Sequence, residues 1–459
     1  MQKIYNLISK IIQEFVNLGK SKQLNLKQNI YEQKKEFIEY FSLITDNDGT
    51  HIQTNEIIDQ YINQVADKIH TRASFQVKFT NSEFRTMVRN AFKQVFDRID
   101  CIEPSSQDGK EFYKKIEAYL KEITNQQGLI EHSFGCSLFD ADDIEAFNIG
   151  PAWFEPRLEW LERNYASGKF SSIDRQRIEQ IWTVEKTKER MSEADSLLIN
   201  SIVDTIGSCR FVCTVKTTEL APDASRIRAL TIARLAITAI ATIDRKPSEA
   251  LKGMGLLYDR STANQTMITS TTETSFSVSY SPPNKPNGPW LQAGEWARLR
   301  SHYKLYFDGA ANALNDFLMS NYKLNDQTML GTLTLALLWF HEGCREDISL
   351  FSVVKFASSL DTLACGARAN GIKKLIAHRL KIEKDTLIFN GSITMGEAID
   401  KIYSDGRSRT LHGNNNQIGH DWSNTENLAE KLARGCLIEC ITWSAQNPDV
   451  TNPKKLSTL

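Results

Sequence analysis

The chain has 459 residues, of which 41% are hydrophobic and 24% are charged, and its formal net charge is −1. This composition is typical of a globular protein, and the length predicts two or three domains. The near-zero charge excludes a global field that would direct the whole chain to nucleic acid or to an anionic membrane. The longest apolar runs, 235–243 and 333–340, are far shorter than the roughly 20 residues that cross a bilayer, and the N-terminus lacks the apolar core of a signal peptide. We therefore expect a cytoplasmic protein that makes no membrane contact.

Eight cysteines are spread over the chain without any Cys-x-x-Cys pair, which predicts reduced packing residues rather than a disulfide framework. Cys209/Cys213 and Cys436/Cys440 have spacings that could ligate a metal on a helix, but neither pair has a partner pair nearby. No glycine-rich phosphate loop, GxSxG elbow or HExxH string occurs in the sequence. We accordingly expect neither a metal nor a cofactor, and we expect the cysteines to be small core residues.

The first part of the chain, residues 1–127, is predicted to be a helical region. Apolar residues recur at helical spacing between Ile4 and Phe15, and similar periodicity marks 57–70, 82–99 and 109–124. The first stripe could dock a partner, although a helix facing the core is the favoured interpretation.

Residues 128–300 are predicted to form a small mixed α/β domain. Glycines and prolines interrupt the chain after Gly128, and 209–216 alternates in the manner of a half-buried strand. Pro222 is expected to open a helix that reaches about Ile243. Two further strands are predicted at 256–258 and 275–280. Regular structure must then break at four closely spaced prolines, Pro282, Pro283, Pro286 and Pro289.

The last part, residues 301–459, reads as helix throughout, so the chain as a whole is predicted to be mainly α. Helical patterns cover six segments, 302–322, 327–345, 349–368, 372–381, 392–404 and 424–446. Helices of this length with short connections favour antiparallel packing in a bundle.

One short stretch between the last two helical patterns, Asp405-Gly-Arg-Ser-Arg-Thr-Leu-His-Gly413, carries groups suited to phosphodiester chemistry. Arg407 is a permanent cation with a planar donor fork that suits phosphate. The unperturbed pKa of a histidine such as His412 lies near neutrality, so its ring can give or take a proton there. Positions five apart lie about 140° apart on an ideal helix. The pair therefore forms a workable site only if the turn, predicted to begin as a loop, is irregular or if a second copy faces it.

The stretch Arg407-Ser-Arg-Thr-Leu-His-Gly413, preceded by Ile402-Tyr403, resembles the R-x4-6-H motif of HEPN ribonucleases, and most closely that of their ApeA-like branch. Upstream, Phe356-Ala-Ser-Ser-Leu-Asp361-Thr-Leu363 is similar to the helix of that branch that carries an acidic residue. The resemblance covers roughly residues 324–446. It implies a helical bundle with Arg407 and His412 as catalytic residues.

The resemblance also implies a metal-independent endoribonuclease that works as a homodimer with a composite site. It further implies a bacterial anti-phage (abortive infection) or toxin effector, whose N-terminal parts respond to a phage-derived trigger or an inhibitory partner. Two alternatives stay open: a non-catalytic HEPN module for binding or assembly, and a nucleotide-binding regulator.

Three residues are predicted to support the pair. Ser408 could hydrogen-bond a phosphate or orient Arg407, or could simply cap a helix. Arg409 is the alternative cation for the phosphate, and Asp361 could hold Arg407 or His412 or form a structural salt bridge. Between Gly371 and His412 eight Lys or Arg residues outnumber five acidic residues, a local excess that permits RNA binding.

Overall fold

The computed structural model describes residues 1–25, 42–45, 51–96, 106–141, 143–183, 193–260, 265–272, 275–281, 288–319, 327–388 and 391–458. These residues are mainly helical, as predicted, and they group into two compact units. The first unit contains Met1–Ile130 and Thr217–Arg228. The second contains Glu131–Lys216, Ala229–Met319 and Gln327–Leu459. The sequence-based boundary at residue 300 falls inside the second unit, because the sheet and the helices that follow it share one hydrophobic core.

The first unit is built on α-helices, as the periodicity predicts. Its elements are α1 (Gln2–Asn25), β1 (Ser42–Thr45), β2 (His51–Thr54), α2 (Glu56–His70), α3 (Ala73–Gln76), α4 (Asn81–Phe96) and α5 (Ser106–Asn125). The stripe on α1 faces the core, since Ile8, Ile11 and Ile12 are fully buried. The sequence analysis did not predict the antiparallel pair β1–β2.

The chain then forms a five-stranded sheet with helices around it. Its elements are β3 (Leu129–Ser137), β4 (Phe147–Ile149), β5 (Ala152–Pro156), α6 (Arg157–Ala166), α7 (Ser172–Thr183), α8 (Glu193–Ile206), β6 (Phe211–Thr218), α9 (Pro222–Thr242), α10 (Pro247–Gly253) and β7 (Gly255–Leu256). The strand order is β4-β5-β6-β3-β7. The predictions of β6 and α9 are confirmed, whereas β3, β4 and β5 were not predicted.

A separate antiparallel pair follows, formed by β8 (Gln265–Thr272) and β9 (Ser275–Ser281), and β9 matches the predicted strand. The strand predicted at 256–258 is wrong beyond Leu256, because Leu257–Asp259 turns into a 3-10 helix. Pro282, Pro283 and Pro286 lie outside the described residues.

The remaining elements are helical except for one short hairpin. They are α11 (Glu295–His302), α12 (Lys304–Met319), α13 (Met329–Cys344), α14 (Ser349–Leu363), α15 (Arg368–Leu380), β10 (Leu387–Ile388), β11 (Ile393–Thr394), α16 (Met395–Ile399), a π segment (Asp400–Ser408), α17 (Arg409–Leu411), α18 (Ser423–Gln446) and a final 3-10 helix (Pro453–Ser457). The predicted helix 349–368 ends early, because Cys365 and Gly366 adopt positive φ of 56° and 74°. Helix α14 is the most buried of these elements and packs against α13, α18 and the π segment.

The cysteines of both predicted pairs are buried, which confirms that they are core residues. Burial raises the pKa of the Cys209 thiol to about 11 and that of Cys440 to about 12, so both thiols are protonated at neutral pH. Within the part of the chain that the structure describes, no group of three or more His, Cys, Asp or Glu side chains could hold a metal ion.

Among the described residues, no single helix is long and apolar enough to cross a membrane. Helices α14 and α15, which are bent by 71° relative to each other, reach such length and composition only as a pair.

Candidate functional site

The Arg407–His412 motif lies in a continuous helical run and not at the loop-like start that the sequence predicted. Thr394 and Glu397 form a capping box that begins this run, with the Thr394 side chain accepting the Glu397 N–H at 3.2 Å. The run continues through α16, the π segment and α17 to Leu411. Gly406 lies inside this run and faces Val353 on α14.

The contact at Gly406 explains why the helix continues there. A Cβ atom on residue 406 would stand 2.7 Å from Cγ1 of Val353 on α14, a separation that real Cβ atoms do not show. The missing side chain thus lets the π segment lie directly on α14. Ile402 and Tyr403, on the same segment, are buried in the core.

The nine-residue π segment makes the backbone irregular, and it includes the first two residues of the motif, Arg407 and Ser408. Its i→i+5 bonds end where the Arg409 N–H donates to the Ser404 carbonyl. Beyond that point the backbone is α-helical, and the His412 N–H donates to the Ser408 carbonyl at 3.0 Å. The turn that joins Arg407 to His412 is therefore irregular, and the angle of about 140° for an ideal helix does not describe this pair.

Arg407 is held by three side chains, two of them on α14. Its Nε donates to Ser358 Oγ at 3.3 Å, and its Nη1 donates to the Tyr403 hydroxyl at 3.1 Å. Its Nη2 stands 3.4 Å from Oδ2 of Asp361, and its guanidinium lies over the Tyr403 ring at 5.1 Å. The predicted association of Asp361 with Arg407 is thus present. A quarter of the Arg407 side chain, 25%, remains exposed to solvent.

Asp361 is a nearly buried carboxylate with three partners: Arg407, the Arg368 backbone N–H and the Tyr403 hydroxyl. Its side chain is 11% exposed, and Oδ1 accepts the backbone N–H of Arg368 at 3.0 Å. Burial, with the nearby Asp361 carboxylate as the next cause, raises the pKa of the Tyr403 hydroxyl. The tyrosine therefore stays protonated and can donate a hydrogen bond at neutral pH.

His412 contrasts with Arg407, because its side chain is exposed and makes no hydrogen bond or ion pair with any described residue. Arg409, the alternative cation, pairs with Asp405 one turn earlier at 3.3 Å. Ser408 begins α17, and its side chain makes no capping hydrogen bond. The predicted residues thus separate into a buried cluster around Arg407 and an exposed group around His412.

The segment after the motif folds back onto it. Gly413 adopts a left-handed φ of 69°, which ends the helical run. The Asn415 side chain is buried and donates from Nδ2 to Thr410 Oγ1 at 2.8 Å, while its oxygen accepts the Gln417 N–H at 2.9 Å. Trp422 donates from Nε1 to the Gln417 carbonyl at 2.9 Å. These bonds fix the backbone beside His412 without engaging its ring.

Sequence reasoning missed three contributors to this site, namely Ser358, Tyr403 and Asn415. Tyr403 stands four residues before Arg407, a spacing that brings two side chains together on a helix. That spacing could have revealed it. Ser358 and Asn415 gave no comparable signal, since only the packing of α14 and the turn after Gly413 brings them to the motif.

The local excess of positive charge is partly neutralised. Lys373 binds Asp400 at 2.8 Å, and Arg407 and Arg409 have the carboxylate partners already described. Arg379 donates to the backbone carbonyls of Leu456 and Lys455, both at 2.8 Å. Lys374, Lys381, Lys384 and Lys401 form no ion pair within the described ranges.

Comparison with known proteins identifies no relative: no protein-family model, curated protein or solved structure gives a significant match to this chain.

Proposed function

We propose that this protein is a metal-independent endoribonuclease whose catalytic residues are Arg407 and His412. The observation that carries the proposal is the pairing of a fixed cation with an exposed proton carrier on one helical run. Asp361, Ser358 and Tyr403 orient the Arg407 guanidinium. The His412 imidazole projects into solvent five residues later.

The chemistry follows from these two groups. RNA carries its own nucleophile, the 2′-hydroxyl, so the reaction needs a base near that hydroxyl and an acid near the departing 5′-oxygen. It also needs positive charge near the pentacovalent phosphorus. A histidine moves the protons, and each positioned proton transfer contributes about 10²–10⁴-fold. The guanidinium stabilises the developing charge.

The active unit in this proposal is a homodimer. One His412 cannot easily serve as base and acid in the same step. Two copies supply two histidines and two arginines. Phe351 on α14 is a large apolar side chain that is 43% exposed, and in this proposal it contacts the second copy.

The decisive experiment incubates purified protein with total RNA in the presence of EDTA, beside the His412→Ala variant. We expect cleavage by the wild type and a loss of at least 10²-fold in the variant. His420→Ala is the matched control, because His420 is an exposed histidine in the following turn. The products should end in 2′,3′-cyclic phosphate or 3′-phosphate. Wild-type cleavage by His412→Ala, or cleavage at a 2′-deoxyribose position, contradicts the proposal.

A second function, a non-catalytic module for binding or assembly, is favoured by one specific observation. Three donors of Arg407 are already engaged within the chain, as expected of a structural arginine. In that case RNA or a protein partner is bound without being cut, and His412→Ala leaves binding unchanged. Under the first proposal the chain is an effector of anti-phage defence or a toxin, restrained until a phage-derived trigger or partner releases it.

A further inference from the structure

The five-stranded sheet carries a row of three residues in register, of which Trp153 is 40% exposed and Thr214 is buried at 3%. Asn148 on β4 pairs in register with Trp153 on β5, and Trp153 pairs with Thr214 on β6. Residues directly opposite each other on neighbouring strands point to the same face of a sheet. The other face is core, where the rings of Phe147 and Phe154 stack with centroids 5.2 Å apart.

Trp153 presents an unpartnered indole in the middle of this row. The residue is 40% exposed, and its indole makes no ring contact or hydrogen bond with any residue that the structure describes. It lies in a depression of about 430 Å³ that is also lined by Pro151, Arg163 and Lys216. That volume lies within the range of small-molecule sites, about 300–1,000 Å³.

The rim of the depression is positively charged toward solvent. Arg163, Lys169 and Lys216 surround Glu131 and Glu155, with Arg163 Nη2 2.7 Å from Glu155 and Lys216 Nζ 3.5 Å from Glu131. The side chain of Glu155 is 3% exposed and that of Glu131 is 16% exposed, whereas the three cationic side chains are 35% to 56% exposed. One cation is in excess, and the cationic groups lie outermost.

We propose that this depression binds a nucleotide group, with the base stacked on Trp153 and the phosphate held by Lys216. Every nucleobase has a flat face that stacks on an indole, and a phosphate forms charge-assisted hydrogen bonds with such cations. The group is either a free nucleotide or an unpaired residue of a strand. The site shares no residue with the Arg407 cluster, and its ligand binding is independent of RNA cleavage.

Asn148 offers a further hydrogen bond to the base. Its Nδ2 donates one hydrogen to the Gly150 carbonyl at 3.2 Å, which leaves its side-chain oxygen and its second amide hydrogen for a ligand. Every base carries both donors and acceptors on its edge, so this contact supports base binding without a preference among the bases.

The test is isothermal titration calorimetry of the full chain with AMP, CMP, UMP, adenosine and inorganic phosphate. Ten-residue strands of A or U with 2′-O-methyl ribose form the second arm, because they lack the nucleophile that cleavage requires. We expect AMP, CMP and UMP to bind, and AMP to bind more tightly than adenosine. Binding of mononucleotides identifies a free ligand, and binding of strands alone identifies a site for an unpaired residue.

Four variants localise the binding. Trp153→Ala should weaken it about 5- to 150-fold, the effect of losing one stacked base, while Trp153→Phe should retain most of it. Lys216→Gln should remove the advantage of AMP over adenosine. Trp339→Ala is the matched control for the indole, since Trp339 is 37% exposed, and Lys252→Gln is the control for a paired surface lysine.

Two results overturn the proposal. One is the absence of binding by every nucleotide and strand. The other is equal weakening by Trp153→Ala and Trp339→Ala, which would place the ligand elsewhere. Failure of either kind leaves the ribonuclease proposal untouched, because cleavage is measured separately with ribose substrates and the His412→Ala variant.

Discussion

At the residue scale, Arg407 has a structural role that must be separated from any catalytic one. Asp361 is 11% exposed, so removing its cation leaves a nearly buried carboxylate with only the Arg368 N–H and the Tyr403 hydroxyl as partners. We expect Arg407→Ala to lower the free energy of unfolding by about 1–3 kcal/mol, measured by urea denaturation. Arg407→Lys should lose less, because it keeps the charge but not the planar fork.

The double variant Arg407→Ala/Asp361→Asn is the control for this effect. Neutralising the carboxylate should recover most of the stability that Arg407→Ala loses, without restoring RNA cleavage. If the two changes are additive in stability, the ion pair contributes nothing measurable.

His341 on α13 predicts how stability depends on pH. It is 4% exposed, and its Nδ1 lies 2.7 Å from Thr238 Oγ1. Burial, with Arg345 and Arg234 as further causes, lowers the pKa of the imidazole to about 4. Asp259 raises this pKa, and Lys355 lowers it as the two arginines do.

The unfolded chain therefore binds a proton at this histidine near pH 6.5, which the folded chain accepts only near pH 4. Stability from this group is fully present above pH 6.5 and is lost as the pH falls toward 4. Between pH 7.5 and 4.5 we expect the free energy of unfolding of the wild type to fall by about 2 kcal/mol because of this group. The His341→Gln variant should not show this part of the loss, and urea denaturation measures both proteins. Equal pH dependence in both proteins would remove His341 as the cause.

At the element scale, the contact between the π segment and α14 positions the whole motif. Gly406→Ala places a Cβ within 2.7 Å of Val353 Cγ1 and should destabilise the protein by about 1–3 kcal/mol. Val353→Ala in the same chain removes the clashing methyl groups, and the double variant should be more stable than Gly406→Ala alone. Thermal denaturation measures both. Independent effects of the two changes would show that the segments do not press on each other there.

At the scale of the whole molecule, the proposed composite site makes activity depend on both copies of the chain. Mixing His412→Ala with an equal amount of wild type leaves about a quarter of randomly assembled dimers with both histidines. Cleavage per wild-type chain should then fall to about half, because heterodimers lose most of the 10²–10⁴-fold contribution of one proton transfer.

Subunit exchange must be demonstrated in the same mixture, for example with differently labelled chains. Phe351→Asp, which puts a charge on the exposed face of α14, should shift the protein toward monomer and reduce cleavage in parallel. Activity that scales linearly with wild-type chain despite exchange would mean that each copy carries a complete site.

The sequence alone determined the mainly helical character of the chain and the position of most long helices. Periodic burial is a local property, so the stripe on α1 and the helices α13 and α18 could be read from spacing. It also identified the candidate site residues by their chemistry, and it anticipated that Asp361 could meet Arg407.

Only the tertiary structure decided how those residues are arranged. The π segment, the close approach at Gly406 and the Ser358 contact all depend on α14 packing beside a helix about 50 positions later in the chain. Likewise β3 pairs with β7 and β5 pairs with β6, which are distant in sequence, and only β4 and β5 are sequence neighbours. The row of Asn148, Trp153 and Thr214 arises from strand register, which local spacing does not contain. Contacts between distant segments depend on how the whole core packs, and local periodicity in the sequence carries no information about them.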